Sequence, residues 1–196
     1  VCPKSAVYQW VEEATKWTGL PAVACIGTKQ KRDDIILNWE YGVLIISYGS
    51  LKQTKSATGA VSMLLKNKPQ GIILDEAHRI KDRKSANAAA AFALSCIEYK
   101  IALTGTPAPN KPDEIWSILH FLYPNQFKSY WNFVENYLTT HKMRNSSGRQ
   151  FIEVTGIKPD RVQDFVKMLN KCATQRKRKD VMPWLPAKEH QRILLP

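Results

Sequence analysis

No Cys-x-x-Cys pair occurs in the 196 residues, and the four cysteines, Cys2, Cys25, Cys96 and Cys172, stand far apart. The four histidines, His78, His120, His141 and His190, form no ligand-like spacing with them. This distribution argues against a structural zinc site and makes reduced thiols the expectation, in an intracellular compartment such as cytoplasm or nucleus. No apolar run reaches membrane-spanning length and no secretory signal is visible, so no membrane partner is expected. Internal repeats and low-complexity tracts are absent, and at 44% hydrophobic residues the chain can bury one substantial core. Acidic residues are scarce: 17 Asp plus Glu against 29 Lys plus Arg leave a formal charge of +12. A domain this basic most often meets a polyanion, nucleic acid first; a basic surface that only confers solubility is the alternative. The phosphate-cradling Gly-x-x-x-x-Gly-Lys-Ser/Thr loop is missing as well.

What is present begins at Gly71. Gly-Ile-Ile-Leu-Asp-Glu-Ala-His runs three apolar residues into two adjacent carboxylates. A buried parallel strand delivers acids to the open edge of an α/β sheet in this way. Asp75 can hold a hydrated Mg²⁺ there, and Glu76 can orient or deprotonate a water attacking a γ-phosphate. A strand ending in an ordinary acidic turn is the bland alternative. Further apolar strands are expected over Ala22 to Ile26, Val43 to Ile46 and Tyr99 to Leu103, with Val1 and Cys2 ending another. Helical spacing marks Ser5 to Trp17, closed by Thr18-Gly19, and a helix is expected between Ala57 and Leu65. Lys29 to Asp34 reads as a charged turn or a helix start. The Ala-rich stretch from Ser85 to Ile97 is either a closely packed helix or merely a convenient helix former. Strands alternating with helices predict a parallel α/β sheet.

From Pro112 the texture changes. Ile115 to Leu122, Phe127 to Leu138 and Asp160 to Leu169 read as thick apolar helices, their aromatics core residues in preference to a base-stacking platform. His141 to Gln150 is polar and reads as a mobile loop or hairpin tip, and Phe151 to Val154 as a short strand. Five cations lie between 171 and 179, either a solvated face or a phosphate contact and interdomain latch.

Taken in order, these segments resemble the first lobe of Swi/Snf-type ATPases, the superfamily-two helicase-like DNA translocases. The resemblance rests on Val-Cys-Pro-Lys-Ser with Trp10, on Ile46-Ser47-Tyr48-Gly49-Ser50-Leu51, and on Leu74-Asp75-Glu76-Ala77-His78-Arg79-Ile80-Lys81. It continues through Leu103-Thr104-Gly105-Thr106-Pro107 with Asn110 and Glu114-Ile115-Trp116-Ser117-Ile118-Leu119. It ends on Arg176, Arg178, Asp180-Val181 and Leu185-Pro186-x-Lys188-Glu189. The chain departs from the pattern at Pro109, where Gln is common, and at Gln175, often Arg. A lone Asp-Glu-Ala-His word would mean only some helicase-like ATPase; the Glu-Ile-Trp-Ser-Ile-Leu and Leu-Pro-x-Lys-Glu stretches favour the Swi/Snf type.

The resemblance implies a RecA-like, P-loop NTPase lobe that lacks its N-terminal part, with a mostly helical protrusion. The expected division is 1–111 for the partial ATPase lobe, 112–170 for the protrusion and 171–196 for a basic junction towards a second lobe. It implies ATP and Mg²⁺, with Asp75 holding the ion through water, Glu76 positioning the hydrolytic water, and His78 completing the motif. Thr104, Gly105 and Thr106 would link nucleotide state to DNA grip. Lys4, Ser5, Trp10, Ser47, Tyr48, Arg176 and Arg178 are implied contacts to double-stranded DNA. The missing phosphate loop reads as truncation, and a piece without that loop or an arginine finger is expected not to turn over ATP. Two other readings stay open: a helicase-like ATPase of another branch, acting on RNA or within a restriction system, and a non-catalytic nucleic-acid-binding module.

Overall fold

The computed structural model describes residues 1–52, 59–144, 148–176, 181 and 184. Strand β1 (Ala22–Cys25) pairs in parallel with β2 (Val43–Ile46), and β3 (Gly71–Asp75) in parallel with β4 (Tyr99–Leu103). Val1 and Cys2 join the two pairs. Cys2 N–H donates to Ile46 O at 3.1 Å and its carbonyl accepts from Tyr48 N–H at 3.3 Å. On the other side the Val1 amino group donates to Ile73 O at 2.7 Å, and Asp75 N–H donates to Val1 O at 2.8 Å. All four expected strand positions are occupied, and the parallel α/β sheet is the observed architecture.

Helices cross between the strands. Helix α1 (Val7–Thr18) follows a 3-10 turn at Lys4–Ala6 and ends at Gly19, whose φ of 67° gives the left-handed cap that needs no Cβ. Helix α2 (Lys29–Leu37) is complete where the sequence suggested a charged turn or helix start; Thr28 caps it by accepting from Lys31 N–H. Short α3 (Tyr48–Leu51) and α4 (Ala60–Lys66) precede β3. Helix α5 (Ala86–Ala93) is capped by Ser85, and Ala88, Ala90 and Ala91 are buried. Its alanines therefore serve close packing, which decides between the two readings of that stretch.

One core cluster packs Cys25, Ile36, Ile46, Leu64 and Leu94 around β1, β2 and their helices. A second gathers Leu74, Ala77, Ile80, Ala88, Ala91 and Phe121 beneath the carboxyl end of β3. Phe121 belongs to α6 (Ile115–Leu122), of which Ile115 to Leu119 are also buried. Beyond it, α7 (Tyr130–Tyr137) and α8 (Val162–Cys172) enclose a third cluster with Trp116, Phe127, Phe133 and Phe165. Of the aromatics from Trp116 to Tyr137, Trp116, Phe121, Phe127 and Phe133 are buried, whereas Tyr123 and Trp131 are exposed. Trp116 meets Tyr130 edge to face with ring centroids 5.5 Å apart.

The stretch read as a loop or hairpin tip is a long antiparallel hairpin, β5 (Leu138–Arg144) with β6 (Gln150–Ile157). The outer residues of both strands are exposed on either face, so no apolar alternation announced them. The stretch from 112 to 170 thus combines helices with a hairpin. On the β3–β4 ladder, Ile73, Ile101 and Leu103 share one face and are 44%, 50% and 41% exposed, leaving that face open among the described residues.

Candidate functional site

Asp75 ends β3 and pairs in register with Leu103, the last residue of β4. The acid pair and the threonine turn therefore leave neighbouring strands at the same rim. Glu76 has φ 51° and ψ 50°, a left-handed conformation uncommon for a residue with a side chain. That reversal turns the main chain into the 3-10 turn Ala77–Ile80, anchored by the buried Ala77 and Ile80. It also lets Glu76 N–H donate back to Asp75 Oδ1 at 3.0 Å.

A polar chain crosses the rim. His78 Nδ1 lies 3.2 Å from Glu76 Oε2 and 3.2 Å from Thr104 Oγ1. An ionised carboxylate only accepts, so the proton between Glu76 and His78 belongs on Nδ1. Thr104 Oγ1 in turn accepts from Thr106 N–H at 3.1 Å. The two acids, His78 and both threonines are thus one connected group spanning two strand ends. Gly105, at the crest of the turn, has open space where a Cβ would point.

Two donors from distant segments fasten Asp75. Trp10 Nε1 donates to Oδ2 at 2.8 Å, and the Tyr48 hydroxyl donates to the Asp75 carbonyl at 2.8 Å. Burial, and next the Asp75 charge, push the Tyr48 phenol well above its usual range, so it stays a donor.

Behind the threonine turn lies a node that sequence reasoning did not single out. Glu114 accepts from Asn110 N–H and from the Asn110 amide, each at 3.0 Å, and pairs with Lys81 at 3.3 Å. It ties the end of the turn to the segment that follows His78. Desolvation alone would raise its carboxyl, but the Asn110 bonds and Lys81 outweigh burial and hold it below the usual 4.5. A depressed carboxyl stabilises the fold fully above its unfolded value, and that contribution is lost as pH falls below about 4.5. Glu114→Gln is therefore expected to lower urea stability at neutral pH and to flatten its decline in acid. Denaturation midpoints measured between pH 3 and 7 check this; parallel curves for the two proteins would refute it. Lys81, Asn110 and Glu114 each fall in a segment that carries the resemblance, but nothing in the sequence joined them into one node.

The donor set suits one ion in particular. Among the described residues no cluster of three or more His, Cys, Asp or Glu could cage a metal. One fixed carboxylate with a second beside it matches Mg²⁺, which keeps most of its waters and takes one or two carboxylates plus substrate phosphates. Asp75 would hold it. When bound, such an ion neutralises phosphate charge.

The residues that the resemblance assigns to DNA divide into groups. Lys4 and Ser5 are exposed on the turn before α1, and Arg176 is exposed after α8. Ser47 and Tyr48 are buried at 8% and 4% exposure. The Ser47 hydroxyl lies 3.0 Å from that of Ser50 and caps α3, so neither side chain faces outward. Trp10 points its donor at Asp75. Arg178, with Asp180 and the Leu185 to Glu189 stretch, lies outside the described residues.

Parallel strands with an acid pair and a hydroxyl turn at one rim make up the site, and comparison with known proteins gives the family. The SNF2-related domain matches residues 1–196, and the chain belongs to that family. It is 35% identical over 132 residues to the Saccharomyces cerevisiae ISWI chromatin-remodeling complex ATPase ISW2, covering 65% of this chain and 11% of that protein. It is 27% identical over 194 residues to the mouse DNA annealing helicase and endonuclease ZRANB3, covering 98% of this chain and 18% of that protein. The solved SWI2/SNF2 ATPase core of Sulfolobus solfataricus in complex with dsDNA matches with a TM-score of 0.54 and 31% identity, over 69% of this chain and 27% of that one. The chain spans less than a fifth of the length of the curated relatives it matches. The RecA-like assignment of the sheet stands on this structural match.

Proposed function

We propose that the chain forms the first of two lobes of an ATP-dependent translocase of double-stranded DNA. The observation that carries this reading is the connected rim: Glu76, His78, Thr104 and Thr106 joined by contacts of 3.1 to 3.2 Å, beside an Asp75 held at both oxygens. In this reading Asp75 holds the Mg²⁺ that accompanies ATP. Glu76 accepts the proton of, or aligns, the attacking water, and His78 holds the Glu76 carboxylate in place. Thr104 Oγ1 senses any movement of His78, and Thr106 N–H follows it, so a change at the acids is felt along the turn. Glu114 would pass that change to Asn110 and Lys81.

The division into a lobe over 1–111, a protrusion over 112–170 and a junction over 171–196 belongs to the same reading, as does the second lobe as a partner. We place the protein inside the cell, in cytoplasm or nucleus, in keeping with four unpaired cysteines of which Cys96 is exposed. Among the described residues no helix is long and apolar enough to cross a membrane.

DNA contact falls to the exposed Lys4, Ser5 and Arg176, with Ser47 and Tyr48 acting from beneath as supports. Contacts to phosphates alone carry no base information and make affinity salt-dependent. Duplex affinity is accordingly expected to fall about 0.9 decades per decade of salt for each phosphate neutralised, whatever the sequence. Fluorescence titrations at two ionic strengths measure this. Binding indifferent to salt would overturn the phosphate groove, and stimulation of the two-lobed protein by RNA but not by DNA would move it to another branch.

A further inference from the structure

We infer that Trp10 is a positioning residue for the Asp75 carboxylate, mechanically tying the exposed Lys4–Ser5 turn to the acid rim. Its effect on turnover rests on the ATPase reading above; the contact does not.

Sixty-five residues separate the partners, yet the indole N–H reaches Asp75 Oδ2 at 2.8 Å in a half-buried setting. An indole nitrogen donates one proton and accepts none, so its purpose at a carboxylate is unambiguous, and a bond to an ionised acceptor is of the stronger kind. Glu76 N–H occupies the other oxygen at 3.0 Å. With one donor on each oxygen, rotation about the Asp75 side chain is fixed, while each oxygen keeps a lone pair for a further ligand.

Trp10 itself is not free to wander. It packs with Val11 against a cluster of Cys2, Val7 and Ile45, in which Val7 is 1% exposed. Upstream, Ala6 N–H bonds to Pro3 O at 3.0 Å, and the 3-10 turn Lys4–Ala6 runs into α1 without a break. Displacement of the exposed turn therefore moves the helix that carries the indole. Tyr48 repeats the arrangement from the second segment, gripping the Asp75 carbonyl in place of its carboxylate. Two of the three segments named for DNA by their resemblance thus end, through one side chain each, on Asp75. Removing an outer partner of a metal-holding carboxylate typically costs about 10- to 100-fold in metal affinity or activity.

The test replaces Trp10 with β-(3-benzothienyl)alanine, which keeps the ring shape and removes the N–H; Trp10→Phe serves as the second variant and assigns the Trp10 signal. In ¹H–¹⁵N spectra of the 196-residue chain, Asp75→Asn is expected to move the Trp10 indole resonance and leave that of Trp17 in place. Glu13→Gln is expected to do the reverse, because Trp17 Nε1 donates to Glu13 Oε2 at 2.6 Å. In the protein carrying both lobes, the benzothienyl variant is expected to lose about 10- to 100-fold in kcat, or to need about 10- to 100-fold more Mg²⁺ for half-maximal rate. The duplex Kd should not change. A Trp10 resonance indifferent to Asp75→Asn overturns the proposal, as does full turnover without the N–H. So does a loss confined to duplex Kd, which would make Trp10 a DNA contact. If the unaltered two-lobed protein shows no turnover, the ATPase reading fails, and the indole spectra still decide the positioning role.

Discussion

Glu76→Gln is expected to cut DNA-stimulated phosphate release by the two-lobed protein about 10²- to 10⁴-fold, the range a well-placed general base supplies. Gln keeps the length of the side chain and can still meet His78, so the change isolates charge and basicity from shape. The Glu76 side chain plays no part in fixing Asp75, which is held by the main-chain N–H of Glu76 and by the Trp10 indole. Nucleotide and duplex affinities should therefore persist while turnover disappears. Single-turnover release of phosphate, with equilibrium binding measured in parallel, checks both halves. Turnover within a few-fold of the unaltered protein would remove Glu76 from the chemistry and return the acid pair to the status of a turn.

Phe121→Ala should produce the largest change in stability, about 3 to 5 kcal/mol, the usual cost of deleting a buried aromatic ring. Phe121 is fully buried, and its cluster includes Leu74, Ala77, Ile80, Ala88 and Ala91. No exposed edge allows the cavity to collapse cheaply. Native domains are stable by only about 5 to 15 kcal/mol, so the variant would sit near the limit of folding. Urea denaturation followed by tryptophan fluorescence measures the difference. The same cluster floors the acid rim, with Leu74 just before Asp75, and Ala77 and Ile80 on either side of His78. The variant should therefore disturb the rim before it unfolds globally, and the His78 resonance should broaden at urea concentrations where far-ultraviolet ellipticity is still native. A cost below about 1 kcal/mol would mean that α6 packs more loosely than its burial indicates.

Strands β3 and β4 were legible because parallel strands are written as unbroken apolar runs, as in Ile72-Ile73-Leu74 and Ile101-Ala102-Leu103, although one face of the pair stays open among the described residues. The rim was legible for the same reason: a run that stops at Asp-Glu in one place and at Thr-Gly-Thr in another brings both stops to one edge once the strands pair. Other features left no such trace. Helix α2 is charged along most of its length and buries Ile36, so propensity could not distinguish it from a turn. The β5–β6 hairpin exposes both faces over its outer residues, from His141 to Arg144 and from Gln150 to Ile152, and carries no alternation to read there. The Trp10–Asp75 and Tyr48–Asp75 bonds join residues 65 and 27 positions apart, and only the order of strands in the sheet brings them together. Ser47 and Tyr48 lay in a segment whose resemblance pointed outward, whereas the main chain turned their side chains into the core. Glu114 needed the turn of 104–110 to fold back before its neighbours existed.

The left-handed backbone at Glu76 puts two demands on one position that few side chains meet together. Asparagine and glycine tolerate the positive φ with ease but offer no acid, and β-branched residues offer neither. Aspartate accepts the backbone yet falls a methylene short of His78. Natural variation at this position is thus hemmed in from two independent sides, by torsion and by reach, and glutamine, which keeps both, surrenders the acid.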